Sequence, residues 1–192
     1  MTRTEQVRSG KGGRGIVEKC DIKENVPVVV STFSKTLGGI GGILLGSEDV
    51  VDHVKHNARP FLFSAALPVP IVAAAATILT MLEENGEALV SELHEKAEYM
   101  RTSLAQVGFD LGESNTHIMP VMCRDEARTL FMHTALLDAG ILMVPIMYPA
   151  VKNGEERLRV NVTRGHSRQD IDRAVEQLQI FGKRFGVLQA AG

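Results

Sequence analysis

The sequence predicts an α/β fold, and three stretches carry that reading. The first is the β-branched run Val28-Val-Val30, followed by a Ser/Thr-bearing turn, Lys35 and the small-residue cluster Gly38-Gly-Ile-Gly-Gly42. A short apolar run bounded by turn residues reads as a doubly buried strand of the parallel-sheet kind. The second is the stripe Leu89, Leu93, Ala97, Met100, Leu104 and Val107, spaced by three and four, with Gly108 as a C-terminal stop. The third is Leu158-Arg-Val-Asn-Val-Thr163, where Leu158, Val160 and Val162 share one face and Arg157, Arg159, Asn161 and Thr163 the other.

Composition sets the bounds. At 192 residues and 20.9 kDa the chain can bury a sizeable core in one domain or two small ones. With 44% hydrophobic and 23% charged residues it is ordinary for a soluble globular protein. A net charge of −2 offers no basic field for nucleic acid or an anionic membrane. The longest apolar run, Leu67 to Leu82, is alanine-rich, carries Pro68 and Pro70, and is too short to span a bilayer. Cys20 and Cys123 have no metal spacing, and reduced thiols in a cytoplasmic protein are the economical reading. No signal peptide is expected, because Met1-Thr-Arg-Thr-Glu-Gln is polar from the start.

Taken in order, residues 1–12 are polar, without period, and expected to be poorly ordered. Gly10-Lys-Gly12-Gly-Arg-Gly15 satisfies a G-x-G-x-x-G pattern, but the preceding Glu5-Gln-Val-Arg-Ser makes no strand, so a dinucleotide site is rejected. A strand over residues 25–31 leads to Lys35, and a second over 42–46 leads to a helix from Glu48 to Asn57. In that helix Asp52, His53 and His56 lack an evident further ligand beyond Asp49, and a solvated face is the reading preferred to a metal site. Arg59 to Ser64 reads as extended, since a residue before proline avoids the α region. Pro68 and Pro70 start a helix expected to end at Asn85-Gly86, before the striped helix of 87–107. Beyond it come a strand over 116–123, a helix from Asp125 to Ala139 closed by Gly140, and a strand over 141–145. The alternating strand follows, and Ser167-x-x-Asp170 then opens a last helix with Ile171, Ala174, Val175 and Leu178 on one face. The domain boundary is placed near 108, giving regions 1–107 and 108–192.

Chemistry concentrates at Lys35. A lysine delivered by a strand to a fixed point can act as a Schiff-base nucleophile. Thr32 and Ser34 are neutral hydroxyl donors beside it, suited to a phosphate, and the glycines let something bulky or charged approach the backbone.

Thr32-Phe-Ser-Lys-Thr-Leu-Gly-Gly-Ile-Gly-Gly42, with Arg59-Pro-Phe-Leu-Phe-Ser-Ala-Ala-Leu-Pro68, resembles the core of the α-oxoamine synthases. These pyridoxal-phosphate (PLP) enzymes of fold type I condense an amino acid with an acyl-CoA. The resemblance runs from about Gly13 to Val187. It implies the C-terminal part of such an enzyme: a remnant of the large-domain sheet, a long linking helix and a small α+β domain. It also implies that Lys35 holds the cofactor and later carries the proton at Cα, with Thr32 near the phosphate or ring oxygen. Ser64 matches a hydroxyl that reaches the phosphate from the neighbouring subunit of a dimer, and Ala65 stands where the family more often has threonine. Arg159 matches the arginine that grips the substrate carboxylate, with Arg157 the other candidate; His166 and His117 read as structural. Met147-Tyr-Pro-Ala-Val-x-x-Gly154 and Gly182-Lys-x-x-Gly-Val-Leu188 resemble glycine C-acetyltransferase. Thr-Phe-Ser-Lys35 and Ala74-Ala-Ala-Thr77 lean towards serine palmitoyltransferase, and 8-amino-7-oxononanoate synthase remains open. The family's Asp-Glu-Ala-His, whose aspartate pairs with the pyridine nitrogen, would fall where Met1-Thr-Arg-Thr stands. The expected partners are therefore a second copy of the chain or a complementing N-terminal chain.

Overall fold

The computed structural model describes residues 15–22 and 26–188. The expectation of poor order over 1–12, and most of the Gly10–Gly15 pattern, lie outside the described residues. The chain divides into two compact units, Met1–Ser91 and Glu92–Gly192.

In the first unit a short helix, α1 (Ile16–Lys19), precedes two strands, β1 (Val28–Thr32) and β2 (Gly42–Gly46). They pair antiparallel in register from Val28↔Gly46 to Thr32↔Gly42. The expected doubly buried, parallel-type strand is therefore corrected. The ribbon has two strands, and Val28, Val29 and Val30 are 38%, 36% and 48% exposed. An apolar run records the burial a strand seeks; the residues that would supply it need not be in the same stretch of chain. Among the described residues β1 is paired on one side only.

Helix α2 (Glu48–Asn57) forms where expected and buries none of its residues. The segment expected to be extended contains a one-turn helix, α3 (Arg59–Leu62). Proline is tolerated in a first turn, where its missing N–H has no intrahelical acceptor. Helix α4 (Val69–Val107) is continuous for 39 residues, and Asn85-Gly86 does not end it. An interior glycine costs only about 1 kcal/mol against alanine. The flanking Leu82-Glu-Glu and Glu87-Ala-Leu are strong helix formers, so the helix propagates through. Gly86 is buried.

The second unit is a three-stranded antiparallel sheet in the order β3 (Ile118–Met122), β5 (Arg157–Asn161), β4 (Val144–Ile146), with helices α5 (Glu126–Asp138) and α6 (Arg168–Arg184). The predicted alternation appears in β5: Leu158 and Val160 are 0% and 4% exposed, while the arginines lie on the other face. Met119 and Val121 join them, and Met132, Leu136, Ile171 and Leu178 from the helices close the core together with Ala97, Met100 and Leu104 of α4. Asp125 caps α5 by accepting from Arg128 N (2.8 Å). Ser167 and Asp170 form the predicted capping box, Asp170 N donating to Ser167 Oγ (3.1 Å) and Ser167 N to Asp170 Oδ2 (2.8 Å). Helix α5 ends at Gly140 (φ +79°), and Ile141 N donates back to Leu136 O (2.8 Å). That closure takes up residue 141, so β4 begins at Val144, three residues later than expected.

Candidate functional site

Lys35 stands in the loop that joins β1 to β2. Backbone hydrogen bonds close this loop on itself: Phe33 N to Gly41 O (2.9 Å), Gly39 N to Phe33 O (2.8 Å) and Gly38 N to Lys35 O (3.0 Å). Gly38 takes φ +61°, which its lack of a Cβ permits. Phe33 and Leu37, two residues either side of the lysine, are 7% and 9% exposed. They pack into a cluster with Ala75, flanked by Ile43, Leu67, Ile71 and Ile78. Lys35 itself is exposed. Two buried anchors thus hold the backbone of an exposed lysine in place.

The hydroxyls sit beside it. Thr32 Oγ1 donates to Gly41 O at 3.3 Å and accepts from Ser34 N at 3.3 Å. It also lies 3.0 Å from Ser34 Oγ. A threonine hydroxyl has one proton, and a carbonyl can only accept, so Ser34 is the donor within the hydroxyl pair. The glycines serve the chain's own packing. A Cβ on Gly39 would meet Ile71 Cγ2 at 2.8 Å, one on Gly42 would meet Ser31 O at 2.8 Å, and one on Gly41 (φ +109°) would collide with Leu67 Cδ2. The bulky groups expected to approach this backbone are Ile71 and Leu67. Sequence reasoning missed their role, although the apolar residues at 33 and 37 flanking a candidate lysine were a readable signal of anchoring.

Ser64 follows α3, is exposed, and donates its hydroxyl to Pro60 O. In this chain its proton is used locally.

In the second unit Arg159 lies at the centre of the sheet, with Pro120 of β3 and Val144 of β4 as cross-strand neighbours. It is half-buried, on the face opposite the core. Arg157 is held by Glu155, donating from Nε to its carbonyl (2.7 Å) and from Nη2 to its carboxylate (3.4 Å). The two histidines read as structural each meet the chain's own backbone. His166 Nδ1 accepts from Thr163 N (3.1 Å), and His117 is 5% exposed with its carbonyl bonded by Val162 N (3.0 Å). In α2, His56 Nδ1 sits 2.7 Å from Asp52 O and Lys55 pairs with Asp52 (3.3 Å). Among the described residues no group of three His, Cys, Asp or Glu could hold a metal ion. Nor is any helix among them long and apolar enough to cross a membrane.

Comparison with known proteins bears on what this arrangement is for. The family model for aminotransferase class I and II matches residues 9–178. The 8-amino-7-oxononanoate synthase of Coprothermobacter proteolyticus is 40% identical over 181 residues, 94% of this chain and 46% of that protein. That of Petrotoga mobilis is 36% identical over 179 residues, 93% of this chain and 45% of that protein. Among solved structures, a serine palmitoyltransferase from S. paucimobilis with a bound PLP–myriocin aldimine superposes with a TM-score of 0.87 at 28% identity. The match covers 97% of this chain and 46% of that one. The Sphingomonas wittichii serine palmitoyltransferase gives 0.88 at 27%, covering 97% and 47%. The chain spans a little under half the length of the relatives it matches. A family model over most of the sequence, the lysine loop, and an α/β part of a PLP fold type I enzyme agree: the chain belongs to the aminotransferase class I and II family, alongside the α-oxoamine synthases.

Proposed function

We propose that the protein is the lysine- and arginine-bearing part of a PLP-dependent acyltransferase that joins an amino acid to an acyl-CoA. The observation that carries the reading is the Lys35 loop: an exposed primary amine between the buried anchors Phe33 and Leu37, next to the Thr32–Ser34 hydroxyl pair. This donor set fits the cofactor, because an amine condenses with an aldehyde and neutral hydroxyls bond a phosphate. When bound, PLP supplies an electron sink for the carbanion at the substrate Cα. Lys35 would hold the aldehyde carbon and, once displaced by the substrate amine, carry the proton at Cα. Thr32 would serve the phosphate, and Ser64 a phosphate in a second copy of the chain after releasing Pro60. Arg159 would fork onto the substrate carboxylate with two parallel hydrogen bonds. Its neighbour Arg157 is the weaker candidate, since Glu155 engages its guanidinium.

The named relatives are 8-amino-7-oxononanoate synthases and serine palmitoyltransferases. The glycine C-acetyltransferase reading rests on residues 147–154 and 182–188 alone, and it enters the test as one arm. The free thiols Cys20 and Cys123 suit a reducing cytoplasmic setting. The second reading is a non-catalytic relative, or a fragment that acts only with a homodimer partner or a complementing N-terminal chain. The exposure of Val28, Val29 and Val30 favours it.

The test is PLP binding by the purified chain, read from visible absorbance and from borohydride trapping with Lys35→Ala as control. An adduct at Lys35, lost in the variant, supports the cofactor role. Assays of glycine, alanine and serine against a panel of acyl-CoAs then identify the member. A chain that takes no PLP alone but does so with a complementing half supports the fragment reading; one that takes none in either case refutes the cofactor role.

A further inference from the structure

Two glycines of the Lys35 loop are filled from outside the loop, and both fillers lie just beyond the segment that carries Ser64. Ile71, in the first turn of α4, lies over Gly39, and Leu67, two residues before α4, lies over Gly41. Both belong to the cluster that buries Phe33 and Leu37. The loop's backbone is closed at the same places, Gly39 N bonding Phe33 O and Gly41 O accepting from Phe33 N. Gly41 O also takes the Thr32 hydroxyl. A shift of Gly39 or Gly41 by the width of a methyl group therefore moves the anchors, the hydroxyl pair and the lysine together.

We infer that Ile71 and Leu67 are positioning residues for Lys35: seated on Gly39 and Gly41, they lock the lysine loop to the segment bearing Ser64. The inference rests on the cofactor reading of Lys35 but concerns how the amine is held. The glycine pairs set the register between two stretches of chain that the sequence separates by about thirty residues, so that Lys35 and Ser64 keep one mutual geometry. Neither aliphatic side chain is assigned contact with substrate or cofactor.

The Gly39–Ile71 pair gives the cleaner test, because Gly41 at φ +109° would be strained by any side chain whatever its neighbour did. The full chain would be made as Gly39→Ala, Ile71→Ala and the double variant, and each treated with pyridoxal, which lacks the phosphate, then borohydride. Labelling of Lys35 is read by mass spectrometry relative to the exposed Lys183 of the same molecule, alongside the melting temperature. A positioning role predicts that each single variant lowers the Lys35:Lys183 ratio about tenfold, as small misplacements of a reacting group do. The double variant, in which the added methyl fills the vacated space, should recover most of that loss. Additive losses in the double variant, or a melting temperature that falls while the ratio stays constant, overturn the inference.

Equal labelling of Lys35 and Lys183 in the unaltered chain would show that the chain alone does not set the Lys35 amine apart, without touching the packing claim. Hydrogen exchange of the Phe33 and Gly39 amides then decides. Protection lost in both single variants and restored in the double sustains the lock, and protection unchanged in the single variants refutes it.

Discussion

The two units solve the burial problem to different degrees. In the second, seventeen buried residues form one cluster in which Leu104, Met119, Val121, Met132, Leu136, Leu158 and Leu178 are all 0% exposed. In the first, the one such cluster among the described residues has three buried members, Phe33, Leu37 and Ala75, while Phe61, Phe63 and Val69 stand 59%, 83% and 79% exposed. A sheet with one face covered by helices is a finished object. A two-stranded ribbon is marginal by itself, and its open edge is a template for further strands. The difference separates a region with a large buried core from one that leaves much of its apolar surface exposed. The little core the first unit has gathers around the two residues that flank Lys35 in its loop.

The sharpest way to break this comparison is to remove equal side chains from each unit. Leu104→Ala should cost about 3 kcal/mol of unfolding free energy, because the cavity cannot collapse in a closed core. Leu45→Ala, at a position 53% exposed, should cost about 0.5 kcal/mol. Urea unfolding followed by circular dichroism reads both, and a large loss at Leu45 would mean that the ribbon is covered in solution by another chain.

The cysteines report the same contrast without perturbing it. Cys20 of the first unit is exposed, whereas Cys123 is buried and its thiol is pushed above its ordinary value by desolvation. Under native conditions a disulfide reagent should modify Cys20 at least about tenfold faster, since the thiolate is the reactive form. Denaturant should abolish the difference.

Ser167→Ala removes one half of the capping box and should lower the second unit's stability by about 1 kcal/mol, measured by thermal unfolding. The smallest effect is the response to acid. Asp170 is held below the usual carboxylate range by the Ser167 hydroxyl first and the Ser167 amide next, and Asp110 by the Gly112 amide and then Arg124. A depressed carboxyl contributes stability above its unfolded value, about pH 4, and loses it as the pH falls through the folded one. The second unit should therefore weaken below about pH 4, and Asp170→Asn should flatten that decline. An unchanged acid limb would mean that the capping carboxylate plays no part in it.

Where a residue's local neighbours decide the outcome, the sequence was legible. The capping box at 167–170, the alternation of 158–162 and the stripe of Ala97, Met100 and Leu104 all read correctly, because each depends on spacing alone. The family was also within reach. What failed depends on partners distant in sequence or on small energetic differences. Val28 to Val30 looked buried because nothing local says whether neighbouring strands belong to the same chain. Asn85-Gly86 looked like a stop because a penalty of about 1 kcal/mol can be outweighed only by residues further along. The use of Gly39 and Gly41 by Ile71 and Leu67 was invisible for the same reason: a glycine shows that room is needed, and not for whom.

The unbroken course of α4 has one more consequence. Helix growth is cooperative: nucleation is unfavourable, and each later residue adds a hydrogen bond to order already present. Ala97, Met100 and Leu104 near its C-terminal end are pinned in a core, whereas Leu79 and Met81 are 47% and 51% exposed. The N-terminal turns therefore borrow part of their helicity from the far end. A change that loosens Leu104 would be felt some thirty residues away, in the turns that carry Ile71 and Ala75.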